Sequence, residues 1–345
     1  MTVIPLQKKL NYLRWVALAT VFSMLLLIPF LYLYQTFVAA HAYDYLSSYE
    51  KLVYKFGEFV SSPFTSDPKE ALDALKGTTW IGRLFGLDLA DPLAAVANTA
   101  ASKRFYWPLW TMALIPIGLT LVFGRFFCGW LCPATFIYEL NDNMGAWLRK
   151  LGVPVSRRRL NRSMKYFVLA VGIAWSVLMG VTVFSWIYPP LLIGRELNYA
   201  ITLGGFGAGM VFFVLTLLFD LLVARRGFCR YLCPGGALYS LLGHFRLLRV
   251  QRKAEICNDC AKCNAVCQFG LSPLTDRFTQ ECNNCTACIQ VCPTDALSFA
   301  LRIQDQPYQG PGHLGRHYAR HRHDGEVPED GKTAQLAAST GSGRI

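Results

Sequence analysis

The chain has 345 residues, of which 53% are hydrophobic and 16% charged, and it carries a net charge of +12. Soluble domains hold about 25% charged residues, so this deficit, with a mean hydropathy of +0.30, argues against a soluble protein and for a membrane protein. The positive charge gathers beside apolar runs and not along one soluble face, which fits basic cytoplasmic loops and speaks against nucleic-acid binding.

A bilayer-spanning helix needs about 20 apolar residues. Four stretches qualify: Trp15 to Ala40, Tyr106 to Gly124, Tyr166 to about Leu192 (closed by Pro189-Pro190) and Asn198 to Phe219. Ala40-His41-Ala42 resembles a signal cleavage site. The apolar run before it exceeds the roughly 7–15 residues of a signal core, so the first span is expected to stay as an uncleaved anchor. Lys8, Lys9 and Arg14 precede it, a basic loop from Arg149 to Lys165 separates spans two and three, and Arg225 to Lys253 follow span four. The positive-inside rule then puts both termini in the cytoplasm of a multi-pass protein of the bacterial inner membrane. Pro116 is tolerable within a membrane helix. Gly205 and Gly209 form a small-xxx-small pair that predicts a close helix contact.

The outer loop, 41–105, has elements of its own. Tyr45, Tyr49, Leu52, Val53 and Phe56 recur at helical spacing and predict an amphipathic helix on the membrane surface. Asp67-Pro68-Lys69-Glu70 reads as a helix start, with Gly77 as its end, and Asp91-Pro92 reads as another start. This loop either caps the bundle or walls a quinone pocket. Beyond Arg302 the composition turns to Gly, Pro and charge, which predicts a disordered tail at 303–345. Its His313, His317, His321 and His323 are expected to be solvated.

All twelve Cys fall in four tight motifs, which is the arithmetic of ligands and not of packing. Disulfides need an oxidising compartment, and the expected topology keeps every Cys on the cytoplasmic side. "CNDCAKCNAVC" (257–267) and "CNNCTACIQVCP" (282–293) each read Cys-x2-Cys-x2-Cys-x3-Cys, the bacterial ferredoxin run for two 4Fe–4S clusters. In such runs the fourth Cys serves the other cluster. One cluster is therefore assigned Cys257, Cys260, Cys263 and Cys292, and the other Cys282, Cys285, Cys288 and Cys267. Gln268 stands where the first run would often have Pro.

The remaining Cys lie in a repeat. "RFFCGWLCPATFIYEL" (125–140) returns as "RGFCRYLCPGGALYSL" (226–241), matching Arg125 with Arg226, Cys128 with Cys229, Cys132 with Cys233, Pro133 with Pro234 and Tyr138 with Tyr239. The bundle is thus expected to be two duplicated helix pairs, each ending at the cytoplasmic edge. Pro suits the first turn of a helix, so Pro133 and Pro234 should each open a new one. Cys128, Cys132, Cys229 and Cys233 would then meet, either as a third metal or iron–sulfur site or as redox dithiols.

The predicted fold class is an all-α membrane bundle of four transmembrane helices over residues 1–249, joined to a small α+β two-cluster ferredoxin domain at 250–302. With "CGWLCP", "CRYLCPGGALY" and the two ferredoxin runs, this layout resembles the NapH family over about residues 10–300. Those are ferredoxin-type membrane subunits of quinol dehydrogenases, similar also to a methylamine-utilisation protein, to parts of the nitrous-oxide-reductase regulator and to a copper-assembly factor. The resemblance implies that electrons pass from membrane quinol to a periplasmic reductase through an iron–sulfur or multihaem cytochrome partner. The chain lacks the extra periplasmic domains of the regulator and the assembly factor, and its outer loop is longer than the family needs. Two other functions fit the same cysteines: an electron-donating maturation factor for a metalloenzyme, and a membrane iron–sulfur sensor. Quinol oxidation needs a proton acceptor near the lipid interface, and Gln35, His41, Arg195 and Glu196 are the candidates at the outer ends of the spans.

Overall fold

The structure is a computed structural model, and it describes residues 6–40, 43–62, 75–77, 81–84, 86–152, 160–275 and 278–301. His41 and the tail at 303–345 lie outside these residues.

The first helix, α1 (Leu6–Ala39), is 34 residues long. Leu18, Leu25, Leu31 and Tyr34 recur along one side of it and are buried, the stripe by which a helix joins a core. It is the one described helix both long and apolar enough to cross a membrane, counted from Lys9. After it, α2 (Ser48–Ser61) opens with a capping box: Glu50 N–H donates to Ser47 Oγ, and Ser47 N–H donates to Glu50 Oε2. This amphipathic helix packs on α1. Strands β1 (Leu75–Gly77), β2 (Ile81–Leu84) and β3 (Leu87–Ala90) form an antiparallel sheet in that order. The helix start at Asp67-Pro68 lies outside the described residues. Leu75–Gly77, expected as that helix's last turn, is a strand because its ladder partners sit in β2.

Asp91 does cap a helix. In α3 (Pro92–Ser102) Asp91 Oδ1 accepts from Leu93 N–H at 2.8 Å, with Pro92 in the first turn. Then come α4 (Trp107–Phe123), α5 (Phe126–Trp130), α6 (Pro133–Lys150) and α7 (Met164–Met179). The third apolar run is shorter than expected. It stops at Gly180, whose φ of +67° ends the helix in a left-handed cap. Pro189-Pro190 do not close this helix; they open α9 (Pro189–Leu203), after the short α8 (Phe184–Ile187). The fourth run is also split: α9 ends at Gly204, and α10 (Ala208–Leu222) follows. Gly205 lies in the turn between them with open space around it, whereas Gly209 sits under Leu192, Arg195 and Glu196 of α9. The two prolines of the repeat open α6 and α11 (Pro234–Leu242), the latter after a π-helical turn at Phe228–Leu232.

The helices α4, α7 and α10 have 17, 16 and 15 residues. At 1.5 Å per residue they reach roughly 23–26 Å. The duplication is larger than a helix pair. Each half holds a long helix (α1 or α7), a short Pro-started helix (α3 or α9), a second apolar helix (α4 or α10), the Cys motif, and a Pro-started helix (α6 or α11). The halves cross. Helix α3 packs on α7, α9 on α1, α6 on α10 and α11 on α4. Their shared core includes Leu25, Leu93, Tyr138, Phe184, Tyr188 and Phe213.

The remainder forms a small unit. Strand β4 (Leu248–Arg252) pairs antiparallel with β5 (Leu297–Leu301), and α12 (Lys262–Val266) and α13 (Ala287–Gln290) lie between them in sequence.

Charge holds the halves together. Arg14 of α1 donates from Nη1 and Nη2 to the two Glu139 oxygens at 2.7 and 2.9 Å. Arg226 donates from Nε to Asp142 Oδ2 at 2.8 Å and pairs with Glu139 at 3.3 Å. Arg14, Glu139 and Arg226 are all buried. Removing one partner of a buried pair leaves a stranded charge at a cost of about 3–5 kcal/mol. Glu139→Ala is expected to lower the unfolding temperature of the detergent-solubilised protein by that equivalent, with Glu139→Gln intermediate. A change below about 0.5 kcal/mol, the range of ordinary surface substitutions, would show that the network does not hold the halves.

Candidate functional site

The two Cys-rich loops share a backbone. Asp259 and Ala261 flank Cys260 with φ of +52° and +55°, and Asn284 and Thr286 flank Cys285 with φ of +53° and +62°. None is glycine, and left-handed backbone at other residues costs roughly 1–3 kcal/mol each. The same strain at matching positions of both loops marks a built shape. Such residues curl a chain into the concave form found at anion and Fe–S sites. Each loop then enters a short helix carrying its third Cys, Cys263 in α12 and Cys288 in α13. The fourth Cys of each run accepts a backbone hydrogen bond at 3.3 Å: Leu271 N–H donates to Cys267 Sγ, and Ala296 N–H to Cys292 Sγ. Hydrogen bonds of this kind tune a cluster's potential.

The thiols fall into groups by mutual electrostatic influence. Burial, with smaller contributions from Cys257, Cys260 and Cys292, pushes Cys263 up to about 12. Cys288 is pushed up by burial and then by Cys285, Cys282 and Cys267. Among the described residues no three His, Cys, Asp or Glu side chains converge as they would on a single metal ion. The curled loops suit a larger group that takes each thiolate at a different corner.

A third group lies at the end of the bundle. Cys128 is in α5, Cys229 is in the π-helical turn, and Cys233 caps α11, its Sγ accepting from Gly236 N–H at 3.3 Å. Burial, with a smaller contribution from Cys128, pushes Cys132 and Cys233 up to about 12. Burial likewise raises Cys229, with Cys233 and Cys132 adding to it. The four thiols of the repeat thus act on one another electrostatically. Cys229 also packs against the Cys282, Phe269 and Leu271 cluster, beside Cys267.

Polar contacts fix this end of the bundle to the Cys-rich unit. Arg125, the first residue of the repeat, donates from Nη1 to Glu281 Oε2 at 2.7 Å. Lys165 pairs with the same carboxylate, and Tyr166 Oη donates to Glu281 Oε1 at 3.1 Å. Burial acts against the Glu281 charge, but Arg125 and Lys165 outweigh it and hold the carboxyl below its usual value. Trp130 Nε1 donates to Asn284 O at 3.0 Å, and Asn284 Nδ2 to Phe123 O at 2.7 Å. Gly129 lies against the Asn283 backbone.

A family described as "4Fe-4S binding domain" matches residues 105–154 and again 206–253, each time covering one copy of the repeat. A second, also described as a 4Fe-4S binding domain, matches residues 278–298. The ferredoxin-type protein NapH of Escherichia coli is 34% identical over 61% of this chain and 71% of its own length. The chain belongs to the NapH and MauN family of ferredoxin-type proteins. The methylamine utilization ferredoxin-type protein MauN of Methylorubrum extorquens is 33% identical over 59% of this chain and 69% of its own. NapH of Haemophilus influenzae is 32% identical over 59% and 69%. No solved structure matches the chain. This NapH- and MauN-like chain is thus a ferredoxin-type iron–sulfur electron-transport protein with 4Fe–4S binding domains.

Within this family member, Gln268 has a use that Pro would not: its Nε2 donates to Glu139 Oε1 at 3.3 Å, tying the first Cys run to α6. Of the expected quinol residues, His41 lies outside the described residues. Gln35 is half-buried on α1. Glu196 is committed to holding α9 on α10, accepting from Gly207 N–H at 2.6 Å and pairing with Arg195 at 3.3 Å. Sequence reasoning counted Arg226 and Lys165 only as charge in cytoplasmic loops and assigned no role to Arg125, Glu139 or Glu281. The signal was available for the two arginines, since both stand at the head of the repeat.

A Cβ at Gly129 would lie 2.3 Å from Asn283 O, while one at Gly118 in α4 would meet nothing within 4 Å. Gly129→Ala is expected to push the second Cys loop away, costing about 1–3 kcal/mol as overpacking, and to lower the iron retained per chain. Gly118→Ala should retain wild-type iron. Equal iron in both variants would mean the contact does not position the loop.

Proposed function

We propose that the chain is the membrane subunit of a quinol dehydrogenase, passing electrons from a lipid quinol to a partner. The observation that carries this is the order of the cysteines. Cys229 of the set at the bundle edge packs on the small core of Phe269, Leu271 and Cys282, beside Cys267 of the second ferredoxin set, and Cys288 packs in one core with Cys263 and Cys292 of the first.

In this reading Cys257, Cys260, Cys263 and Cys292 hold one 4Fe–4S cluster, and Cys282, Cys285, Cys288 and Cys267 hold a second. Cys128, Cys132, Cys229 and Cys233 hold a third at the bundle edge, in keeping with the 4Fe-4S description of both matched segments. When bound, such clusters accept and release single electrons. The residues around them exclude water, supply N–H donors to Cys233, Cys267 and Cys292, and keep the three sets at fixed separations through the buried Arg125–Glu281 pair.

The membrane placement rests on the outer faces. Leu114, Ile115 and Leu119 of α4, Phe167, Val171, Trp175 and Leu178 of α7, and Val211, Leu215 and Leu218 of α10 are all exposed. Apolar belts of this extent mark contact with lipid or a partner. We read α1, α4, α7 and α10 as the four crossings, with α3 and α9 as half-helices that pack between them. The packing of α1, anchored by Arg14, suits a retained helix. Lys and Arg at the Cys end put that end and both termini in the cytoplasm. The partner, an iron–sulfur or cytochrome protein serving a periplasmic reductase, remains part of this proposal.

Anaerobically purified protein is expected to hold about twelve iron atoms per chain, and Cys128, Cys132, Cys229 and Cys233 changed together to Ser should remove about four. Ubiquinol or menaquinol analogues should reduce the clusters, seen by EPR. Full iron in the quadruple variant would eliminate the third cluster, and no reduction at any accessible potential would eliminate the quinol function.

A further inference from the structure

A cavity of about 270 Å³ lies between α1 and α4, walled by Leu25, Ile28, Pro116, Leu119, Phe127 and Leu131. An apolar cavity of about 150 Å³ accommodates a benzene, so this one has room for a substituted ring. Leu119 and Ile115, on the α4 wall, are also exposed on the outside of the bundle. The cavity therefore communicates with the apolar face of the molecule. Nearly all of the lining is hydrocarbon. The polar groups among it include Asp91 and Tyr239, and both are buried, at 5% and 1% exposure.

Asp91 uses only part of its capacity. Oδ1 accepts from Leu93 N–H at 2.8 Å and Oδ2 accepts from Tyr188 Oη at 2.7 Å. A carboxylate offers about four acceptor positions, so each oxygen keeps one. Among the described residues no Lys or Arg forms an ion pair with Asp91, and Arg83, the cation in the cavity wall, pairs with Asp88. The ionisable groups that face Asp91 are Tyr188, Tyr239 and, at longer range, Cys128. Burial raises its pKa to about 6, against the hydrogen bonds from Tyr188 and Leu93. The Tyr239 hydroxyl lies beside the carboxylate yet completes no hydrogen bond of ordinary geometry.

The repeat supplies an internal control. Tyr138 is the counterpart of Tyr239, and its hydroxyl is closed off by Thr216 Oγ1 at 2.9 Å. The copies also differ just after the Pro, Ala134-Thr135 against Gly235-Gly236. A Cβ at Gly235 would fall 2.3 Å from the Tyr188 ring. Glycine there admits the Tyr188 ring to the position from which it bonds Asp91. One half of the duplication has sealed its tyrosine, and the other has left it open against a buried acid. The open one stacks on Phe127, centroids 5.2 Å apart, next to Cys128.

We propose that this cavity binds the head group of a lipid hydroquinone, with Asp91 and Tyr239 on one of its hydroxyls and Asp91 as the first proton acceptor. The inference rests on the quinol reading above and locates its site. In the step, the hydroquinone O–H bond breaks, a new O–H bond forms on the free position of an Asp91 oxygen, and the substrate is left as the hydroquinone monoanion. The protein goes from carboxylate to carboxylic acid, so charge and protons balance with no further reactant. The Tyr239 hydroxyl donates to the oxygen that becomes negative.

The test uses the full chain in detergent and a fluorescent quinol mimic, an alkyl hydroxyquinoline N-oxide, titrated by quenching. Wild type should bind it saturably. Asp91→Asn and Tyr239→Phe should each weaken binding about tenfold, the equivalent of one hydrogen bond, and Leu119→Trp, which fills the cavity, should abolish it. Val211→Ala, on the exposed face of α10, should bind as wild type does. Iron content and cluster EPR, measured on every variant, separate a lost site from a lost fold; if Asp91→Asn does not fold, Leu119→Trp decides. Unchanged binding in folded Leu119→Trp, including the case of a cavity that takes only a lipid chain, overturns this inference. If quinol still reduces the clusters at the wild-type rate in that variant, the functional reading survives without it. A wild type that binds no mimic and is reduced by no quinol overturns both.

Discussion

A guanidinium out of water must find an anion, and this chain buries two at the same point of its repeat. Arg125 and Arg226 are each 1% exposed. The effective penalty for burying an unpaired ion is several kcal/mol, so a partner is compulsory in both halves. The partners differ. Arg226 is answered within the bundle by Glu139 and Asp142, whereas Arg125 is answered by Glu281 of the Cys-rich unit. Two equivalent sockets therefore have unequal occupants, and that inequality decides where the ferredoxin unit docks. The acidic residue directly before Cys282 sets that loop against the bundle-edge cysteines.

The same breaking of symmetry runs through the rest of the site. The tyrosine six residues after the second Cys is sealed by Thr216 in one half and left against Asp91 in the other. Gly235 in place of Ala makes the difference possible by admitting a ring. Duplication provided paired scaffolding, and a few non-equivalent side chains gave its two tyrosines different surroundings.

Much of this was legible in the chain. Cysteine spacing is local information: a Cys-x2-Cys-x2-Cys run carries its loop geometry with it, and the Pro after the bundle-edge motif announces a new helix. Apolar periodicity found the four long hydrophobic segments. It missed the breaks at Gly180 and Gly204, because a continuous apolar run looks the same whether or not a left-handed glycine interrupts it. It also read α9 as parts of two spans, since a buried half-helix is as apolar as a full one. The buried charge pairs were invisible because their members are far apart, with Glu281 lying 156 residues from Arg125. Asp91 was read as a helix cap, which it is; only the folded chain brings Tyr188 and Tyr239 to it. Gln268 was noticed as a departure, but its bond to Glu139 depends on the docking of two units and has no local signature.

The crossing of the halves has a consequence in time. Helix α9 rests on α1 and α3 on α7, so neither half can close its core until both have been made. Arg14, near the beginning of the chain, waits for Glu139, and Arg125 waits for Glu281. The molecule emerges from synthesis with early cations whose counterions arrive late. The arrival of Glu281, beside the last cysteine loop, is therefore also the event that gives the buried Arg125 and Lys165 their counterion.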